Sequence, residues 1–261
     1  MSSTAIIAIT SHGLIIGKKI IENLGGDLYL PEELGSHMGQ PVFHYKTSTR
    51  ELVNKIWGQY TSIIFIMALG IVTRLIKDHI KSKHTDPAVV VIDEVGRYAI
   101  SALSGHEGGA NRLAEKIALI CQGDFVVTTG SEATKTLIAG MGCRRGASVD
   151  ILEETLLEGL KKIDRKCEEV RLIASVEDKI HEKGFYDLSE RLKIPLKFIP
   201  KNLIKIIEGN FPPSELVQKT LGVHSVAEPC AILGGFRCKM ILPKIKNKEA
   251  TIAIAEEKLL S

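Results

Sequence analysis

The sequence predicts an α/β protein of two domains: an N-terminal doubly wound, mostly parallel sheet, then a smaller α/β domain. Three observations predict it. Short aliphatic runs alternate with segments whose apolar residues recur at helical spacing, the signature of βαβ units. Glycine-rich turns fall where those runs end, the place where open parallel sheets bind ligands. The alternation then restarts after a short polar stretch at residues 130–136, giving domains of residues 1–130 and 136–261.

In order along the chain, residues 4–10 form an aliphatic run suited to a buried strand, and residues 14–24 carry helical periodicity ended by Gly25-Gly26. Residues 48–60 read as an amphipathic helix with Ser48 or Thr49 as N-cap and Glu51 in its first turn. Residues 62–67 are a buried strand and residues 71–80 a helix. Two strands, 88–92 and 98–103, flank a turn at Gly96, followed by a helix at 111–120 and a strand at 125–129. In the second domain a strand at 136–141 leads into a Gly-rich turn and a helix at 149–163. Strands at 170–175 and 196–199 enclose a helix at 185–192. Helices at 214–221 and 225–233 and strands at 239–242 and 251–255 complete the chain.

Composition narrows the function. Of 261 residues, 44% are apolar and 25% charged, enough for two packed cores. Aromatics at 5% are too sparse for nucleic-acid stacking platforms, and a net charge of +3 is only a mild bias toward acidic ligands. The five cysteines, Cys121, Cys143, Cys167, Cys230 and Cys238, include no CxxC pair, so neither a disulfide framework nor a zinc site is expected. His12, His37, His44, His79, His84, His181 and His224 show no metal-ligand spacing, and no protein-bound metal or cofactor is expected. No signal peptide is visible, and the apolar stretches fall short of the ~20 residues a membrane span needs. A cytoplasmic protein that contacts neither membrane nor nucleic acid is the expectation, with a homodimer as the simplest oligomer.

Four glycine-bearing loops stand at predicted strand ends: Ser11-His12-Gly13; Ala68-Leu69-Gly70 with Arg74 beyond; residues 104–111; and residues 140–146 with Arg144 and Arg145. The first amides of a helix lack internal partners and carry partial positive charge, so such loops capture anions. Glycines also serve plain tight turns, but four such loops imply a ligand with many negative groups. Nucleotide fingerprints are missing: there is no GxxxxGK[ST] and no GxGxxG between the first strand and helix.

Three stretches then stand out: Ile66-Met67-Ala68-Leu69-Gly70-Ile71-Val72-x-Arg74; Lys83-x-x-Asp86-Pro87-Ala88-Val89-Val90-Val91-x-Asp93-Glu94-x-Gly96-Arg97; and Ser101-x-Leu103-Ser104-Gly105-His106-x-Gly108-Gly109-Ala110-Asn111-x-Leu113. This ordered set resembles the N-terminal region of the cobalt-precorrin-5A hydrolase (CbiG) family. Gly140-x-Gly142-Cys143-Arg144-Arg145-Gly146, Glu177-Asp178-Lys179, Gly222-Val223-x-Ser225-Val226-Ala227-Glu228 and Thr251-Ile252-Ala253-Ile254-Ala255 resemble its C-terminal region. Family members carry a middle segment between the two, whereas here only residues 121–139 separate them. The resemblance implies hydrolysis of the δ-lactone of a cobalt-bound tetrapyrrole with release of acetaldehyde. It also implies cobalt that arrives inside the substrate and, as partners, neighbouring enzymes of the cobalamin pathway.

Such chemistry needs an activated water, an oxyanion stabiliser and an acid for the leaving oxygen. His106 is the leading general acid or base, against a histidine that merely ties its loop. Asp93 and Glu94 are candidates for a carboxylate base or for orienting His106, against exposed turn acids; Glu107 lies outside the motif. Gly105 belongs to the same loop, and the amides of Gly108 and Gly109 are candidate oxyanion donors. Asn111 reads first as a helix cap and second as a substrate contact. Gly70, Arg74 and Gly142 are expected near substrate, and Arg144 and Arg145 as clamps for its acetate or propionate arms. Ser225 and Glu228 have capping-box spacing, with substrate contact as the second reading. Lys179 reads as a helix-surface lysine or a carboxylate partner, and Cys143 as a small buried cysteine. A cleft between the domains is the expected site. The competing functions are a carrier that holds a corrinoid intermediate without chemistry, and an unrelated nucleotide-dependent enzyme.

Overall fold

A computed structural model describes residues 3–34, 41–247 and 249–258, the side chains of Glu215 and Leu216 excepted. The chain divides into two units, Met1–Thr129 and Gly130–Ser261, each with its own sheet.

In the first unit the elements run β1 (Thr4–Ala8), α1 (Ser11–Leu24), β2 (Asp27–Pro31), β3 (Val42–Tyr45), α2 (Thr49–Ile56) and β4 (Ser62–Ile66). They continue with α3 (Leu69–Ile76), β5 (Ala88–Ile92), β6 (Tyr98–Leu103), α4 (Ala110–Cys121) and β7 (Asp124–Val126). The sheet order is β3-β2-β1-β4-β5-β6-β7. The first five strands are parallel; β6 is antiparallel to β5, and β7 runs with β6. Near-continuous apolar runs make the central strands because both faces of the sheet are covered. Ile6, Ile64, Val90 and Ile92 pack with Ile20 of α1 and Ile117 of α4; Ile7, Phe65, Val89 and Val91 pack with Val53 of α2 and Val72 of α3.

The expected stop at Gly25 and cap at Ser48 hold, but Ser11-His12-Gly13, expected as a loop, is the first turn of α1, and Leu69-Gly70 begins α3. The Thr10 hydroxyl accepts from the Gly13 amide at 3.1 Å to start α1, and Gly25 ends it at φ 70°. Ser48 and Glu51 form a reciprocal capping box on α2. The outer strands β2 and β3 went unpredicted: β2 ends in proline and β3 is only four residues long.

The second unit runs β8 (Leu137–Cys143), α5 (Val149–Lys162), β9 (Val170–Val176), α6 (Lys183–Leu192) and β10 (Leu196–Ile199). Then come α7 (Lys201–Ile207), α8 (Glu215–Leu221), α9 (Ala227–Leu233), β11 (Cys238–Asn247) and β12 (Ala250–Glu257). The sheet order is β10-β9-β8-β12-β11, with β8, β9 and β10 parallel, β12 antiparallel to β8, and β11 antiparallel to β12. One expectation is corrected: Gly140 and Gly142 are strand residues of β8, so the turn begins only after Cys143. The physical reason is close packing. A Cβ at Gly140 would overlap the Ala227 carbonyl and the Ala231 amide of α9. The unpredicted helix α7 starts directly after Pro200, which fills its N-cap position.

Candidate functional site

In the first unit, β1, β2 and β3 step outward in one direction while β4 and β5 step in the other. The topological switch point therefore lies between the carboxyl ends of β1 and β4. The starts of α1 and α3 flank it, presenting exposed Ser11, His12, Leu69 and Gly70. Gly70 is thus at the ligand edge. Arg74 is bent back: its Nη1 donates to the Gly70 carbonyl at 2.8 Å, while its own carbonyl accepts from Arg50 Nη2 at 3.1 Å.

Asp93 follows β5 at this same edge. Its carboxylate accepts from the Arg97 amide at 2.7 Å, the Tyr98 amide at 2.8 Å and the Arg97 Nε at 3.0 Å. Burial alone would raise its pKa, but these donors and the Arg97 charge together hold it below the ordinary carboxylate value. Asp93 is therefore a turn-closing acid and is badly suited to accept a proton near neutrality. Glu94 is half-buried beside it, and its carboxylate forms no hydrogen bond among the described residues.

The His106 loop lies elsewhere. Because β6 is antiparallel, Leu103 sits beside Val89 at the beginning of β5, whereas Ala99 sits beside Ile92 at its end. Residues 104–109 therefore occupy the amino edge of the parallel strands. There the Ser104 hydroxyl donates to the Asp86 carbonyl at 3.1 Å, and Lys83 pairs with Glu107 at 2.5 Å. The length of β5, roughly 15 Å at strand rise, separates Asp93 from this loop. The expectation that Asp93 or Glu94 orients His106 is therefore wrong, and the glycine loops of this unit do not converge on one edge. His106 is exposed, with neither ring nitrogen hydrogen-bonded among the described residues.

This loop is built by close approach. A Cβ at Gly108 would collide with Ser104, and Gly109, at φ 86°, is the N-cap of α4. Asn111 is neither a cap nor a free contact: its Oδ1 accepts from Ser101 at 2.7 Å and its Nδ2 donates to Thr129 at 3.0 Å. The Asn111 backbone amide is spent on the Gly105 carbonyl at 3.0 Å. The amides of Gly108 and Gly109 remain without acceptors among the described residues, the arrangement an oxyanion requires.

In the second unit the parallel strands β8, β9 and β10 step in one direction and β12 runs antiparallel to β8, so there is no switch point; the arginine loop follows the carboxyl end of β8. The Arg144 amide donates to Glu249 O at 2.8 Å, and the Gly146 amide donates to Glu182 Oε2 at 2.9 Å. These bonds fix the arginine loop ahead of α5, which Ser148 caps. Both arginines are exposed, and neither guanidinium makes a hydrogen bond or ion pair among the described residues. Lys179 Nζ meets Glu182 Oε1 at 3.4 Å. Burial would raise the Glu182 pKa, but the Gly146 amide, Lys179 and Arg145 outweigh it and hold it low. Cys143, beside this pair, has its thiol pushed up to about 11 by burial, which makes it a poor nucleophile. Sequence reasoning had Lys179 among its residues but missed Glu182, the acid that ties Lys179 to the loop.

Ser225 and Glu228 are corrected too. The serine hydroxyl donates to Glu228 Oε2 at 3.2 Å instead of capping α9, whose N-cap is Val226. Glu228, only 5% exposed, also accepts from the Lys244 amide at 3.3 Å, where β11 shifts register. These two side chains brace α9 against β11 and face no solvent. Gly142 is likewise structural: a Cβ there would come within 2.9 Å of the Thr251 hydroxyl. A groove of about 380 Å³ runs along α5, lined by Asp150, Glu153, Glu154, Leu157, Glu158 and Lys161; four acids against one lysine make it unfavourable for a polyanion. Among the described residues no three His, Cys, Asp or Glu side chains cluster to hold a metal, and no helix is long and apolar enough to cross a membrane. His37 lies outside the described residues.

The comparisons with known proteins agree across both units. Residues 51–132 match the model of the cobalamin synthesis G N-terminal region, and residues 137–255 match that of its C-terminus. The chain is 25% identical over 356 residues to cobalt-precorrin-5A hydrolase of Priestia megaterium, covering 96% of this chain and 94% of that protein. It is 25% identical over 325 residues to cobalt-precorrin-5A hydrolase of Salmonella typhimurium, covering 88% of this chain and 91% of that protein. Both alignments are longer than the 261 residues here, so those relatives carry stretches with no counterpart in this chain. With the two halves of one family's model matched in order over most of the sequence, the chain belongs to the cobalamin synthesis G family.

Proposed function

We propose that the protein is a cobalt-precorrin-5A hydrolase of anaerobic cobalamin biosynthesis, opening the δ-lactone of its substrate and releasing acetaldehyde to give cobalt-precorrin-5B. One observation carries this: both halves match the family in order, and the likeness to curated hydrolases runs over nearly their full length. The chemistry is balanced with water alone. Water adds to the lactone carbonyl, and the tetrahedral oxyanion collapses with cleavage of the acyl C–O bond. The freed alkoxide takes a proton. Removal of that hydroxyl proton then expels acetaldehyde, the C–C bond electrons passing to the ring carbon, which is protonated in turn.

In this reading His106 moves the protons and the free amides of Gly108 and Gly109 hold the oxyanion. The exposed Arg144 and Arg145 hold carboxylate arms of the tetrapyrrole. The cytoplasm suits the reaction, in keeping with five free cysteines.

The test is acetaldehyde release from cobalt-precorrin-5A. Wild type should release it stoichiometrically, and His106→Ala should slow release by about 10²-fold or more, the usual contribution of a general acid or base. Tight binding with no release by wild type would instead make the protein a carrier. Normal release by His106→Ala would remove His106 from the mechanism.

A further inference from the structure

We propose that Lys179, paired with Glu182, and Arg145, next to the Gly146 amide from which Glu182 accepts, form a binding site at the carboxyl edge of the second sheet for a carboxylate arm of the substrate. The site deepens the hydrolase reading and rests on it for the identity of the ligand. The argument begins with unspent donors. The Lys179 side chain is only 12% exposed, yet its ammonium has a single partner among the described residues, Glu182 Oε1 at 3.4 Å. A charge-assisted N–H···O bond is ordinarily about 2.7–2.9 Å, and an ammonium offers three donors. A largely buried cation with one long bond is poorly compensated, and an incoming anion corrects that.

Glu182 does not supply the missing compensation, because its carboxylate is shared. The side chain is 16% exposed and spends Oε2 on the Gly146 amide at 2.9 Å. It thereby ties the arginine loop to the start of α6 and lies in the field of Arg145 as well. Lys179 thus shares its carboxylate partner with the loop that carries Arg145, whose guanidinium has no partner among the described residues. Neighbouring cations differ: Lys201 is matched by Asp178 at 2.7 Å, and Arg191 by Asp150 and Glu153, each at 2.7 Å. The uncompensated positive charge is concentrated where β8 ends, at the carboxyl edge of the parallel strands β8, β9 and β10, the edge at which such strands receive ligands.

The test uses the full-length protein with two probes. With cobalt-precorrin-5A, Lys179→Met should raise KM at least tenfold while kcat changes less than threefold. Lys179→Arg, which keeps the charge, should return KM to within about threefold of wild type. Arg145→Met, an exposed position that leaves packing intact, should also raise KM, and it carries the test should Lys179→Met fail to fold. With benzenehexacarboxylate, followed by calorimetry, wild type should bind, with affinity at least fivefold weaker in either Met variant. Should wild type release no acetaldehyde, the hydrolase reading falls, and the site is then judged on benzenehexacarboxylate alone. Equal KM values, or equal calorimetric affinities in wild type and both Met variants, overturn the site.

Discussion

The carboxylate of Asp93 accepts from two successive amides and one guanidinium, and these donors close the β5–β6 turn. Asp93→Asn should cost about 1–3 kcal/mol at pH 7, since it removes a charged acceptor from three donors. The pH dependence has a definite sign. A carboxyl whose folded-state pKa is depressed contributes stability above its unfolded pKa, here 3.8, and loses it as pH falls through the folded value. Thermal denaturation should therefore show a gap between wild type and variant at pH 7 that shrinks below about pH 4. A gap of constant size would count against this account. Gly140 makes a sharper case. Its missing Cβ leaves room for main-chain atoms of α9, which cannot rotate away, so Gly140→Ala should destabilise by about 3 kcal/mol or more in denaturant titration. The sequence offered Asp93 as a turn acid only as the alternative to a catalytic one, and gave no sign of Gly140's role. Asp93's donors follow it within five positions and were legible as a turn pattern, whereas Gly140's partners, Ala227 and Ala231, lie far along the chain and leave no local mark.

Elements were readable where their cause was local. Ser48 and Glu51 announce α2 because the cap and its reciprocal acid are three residues apart, and the structure forms both bonds. Ser48→Ala should accordingly lower stability by about 1 kcal/mol in a thermal melt, and Ser48→Asp should restore most of it. Ser225 and Glu228 have the same spacing without the same result, because burial between α9 and β11 turns the hydroxyl toward the carboxylate. A spacing rule does not see tertiary cover. The strands β2 and β3 and the helix α7 were invisible because they are short and take their stability from neighbours. The position of the His106 loop, by contrast, was available from the sequence. A tight turn at Gly96 between two strand-like runs implies a hairpin, and a hairpin sends the following loop to the opposite edge of the sheet. Reading the sheet as mostly parallel, with no direction assigned to the 98–103 strand, hid that consequence and placed Asp93 beside His106.

At the scale of the molecule, the strand–helix alternation stops and restarts around the polar stretch at residues 130–136, and the chain divides between Thr129 and Gly130. Among the described residues no strand is exchanged: β1 to β7 complete one sheet and β8 to β12 the other. The second unit is not smaller in length, although its sheet has five strands against seven. The two family models also meet between residues 132 and 137. A segment of about 130 residues with its own sheet and buried core is large enough to fold alone. Residues 1–129 and 130–261, produced as separate polypeptides, should therefore each show native-like circular dichroism and a single cooperative melt. The Tm of each should fall as its own core is opened, Val90→Ala acting only on the first and Leu156→Ala only on the second, each by about 2–4 kcal/mol. A piece that stays unfolded until its counterpart is added would show that the stability of that sheet depends on the other half of the chain, and the residues placed on it would then have to be judged only in the intact protein.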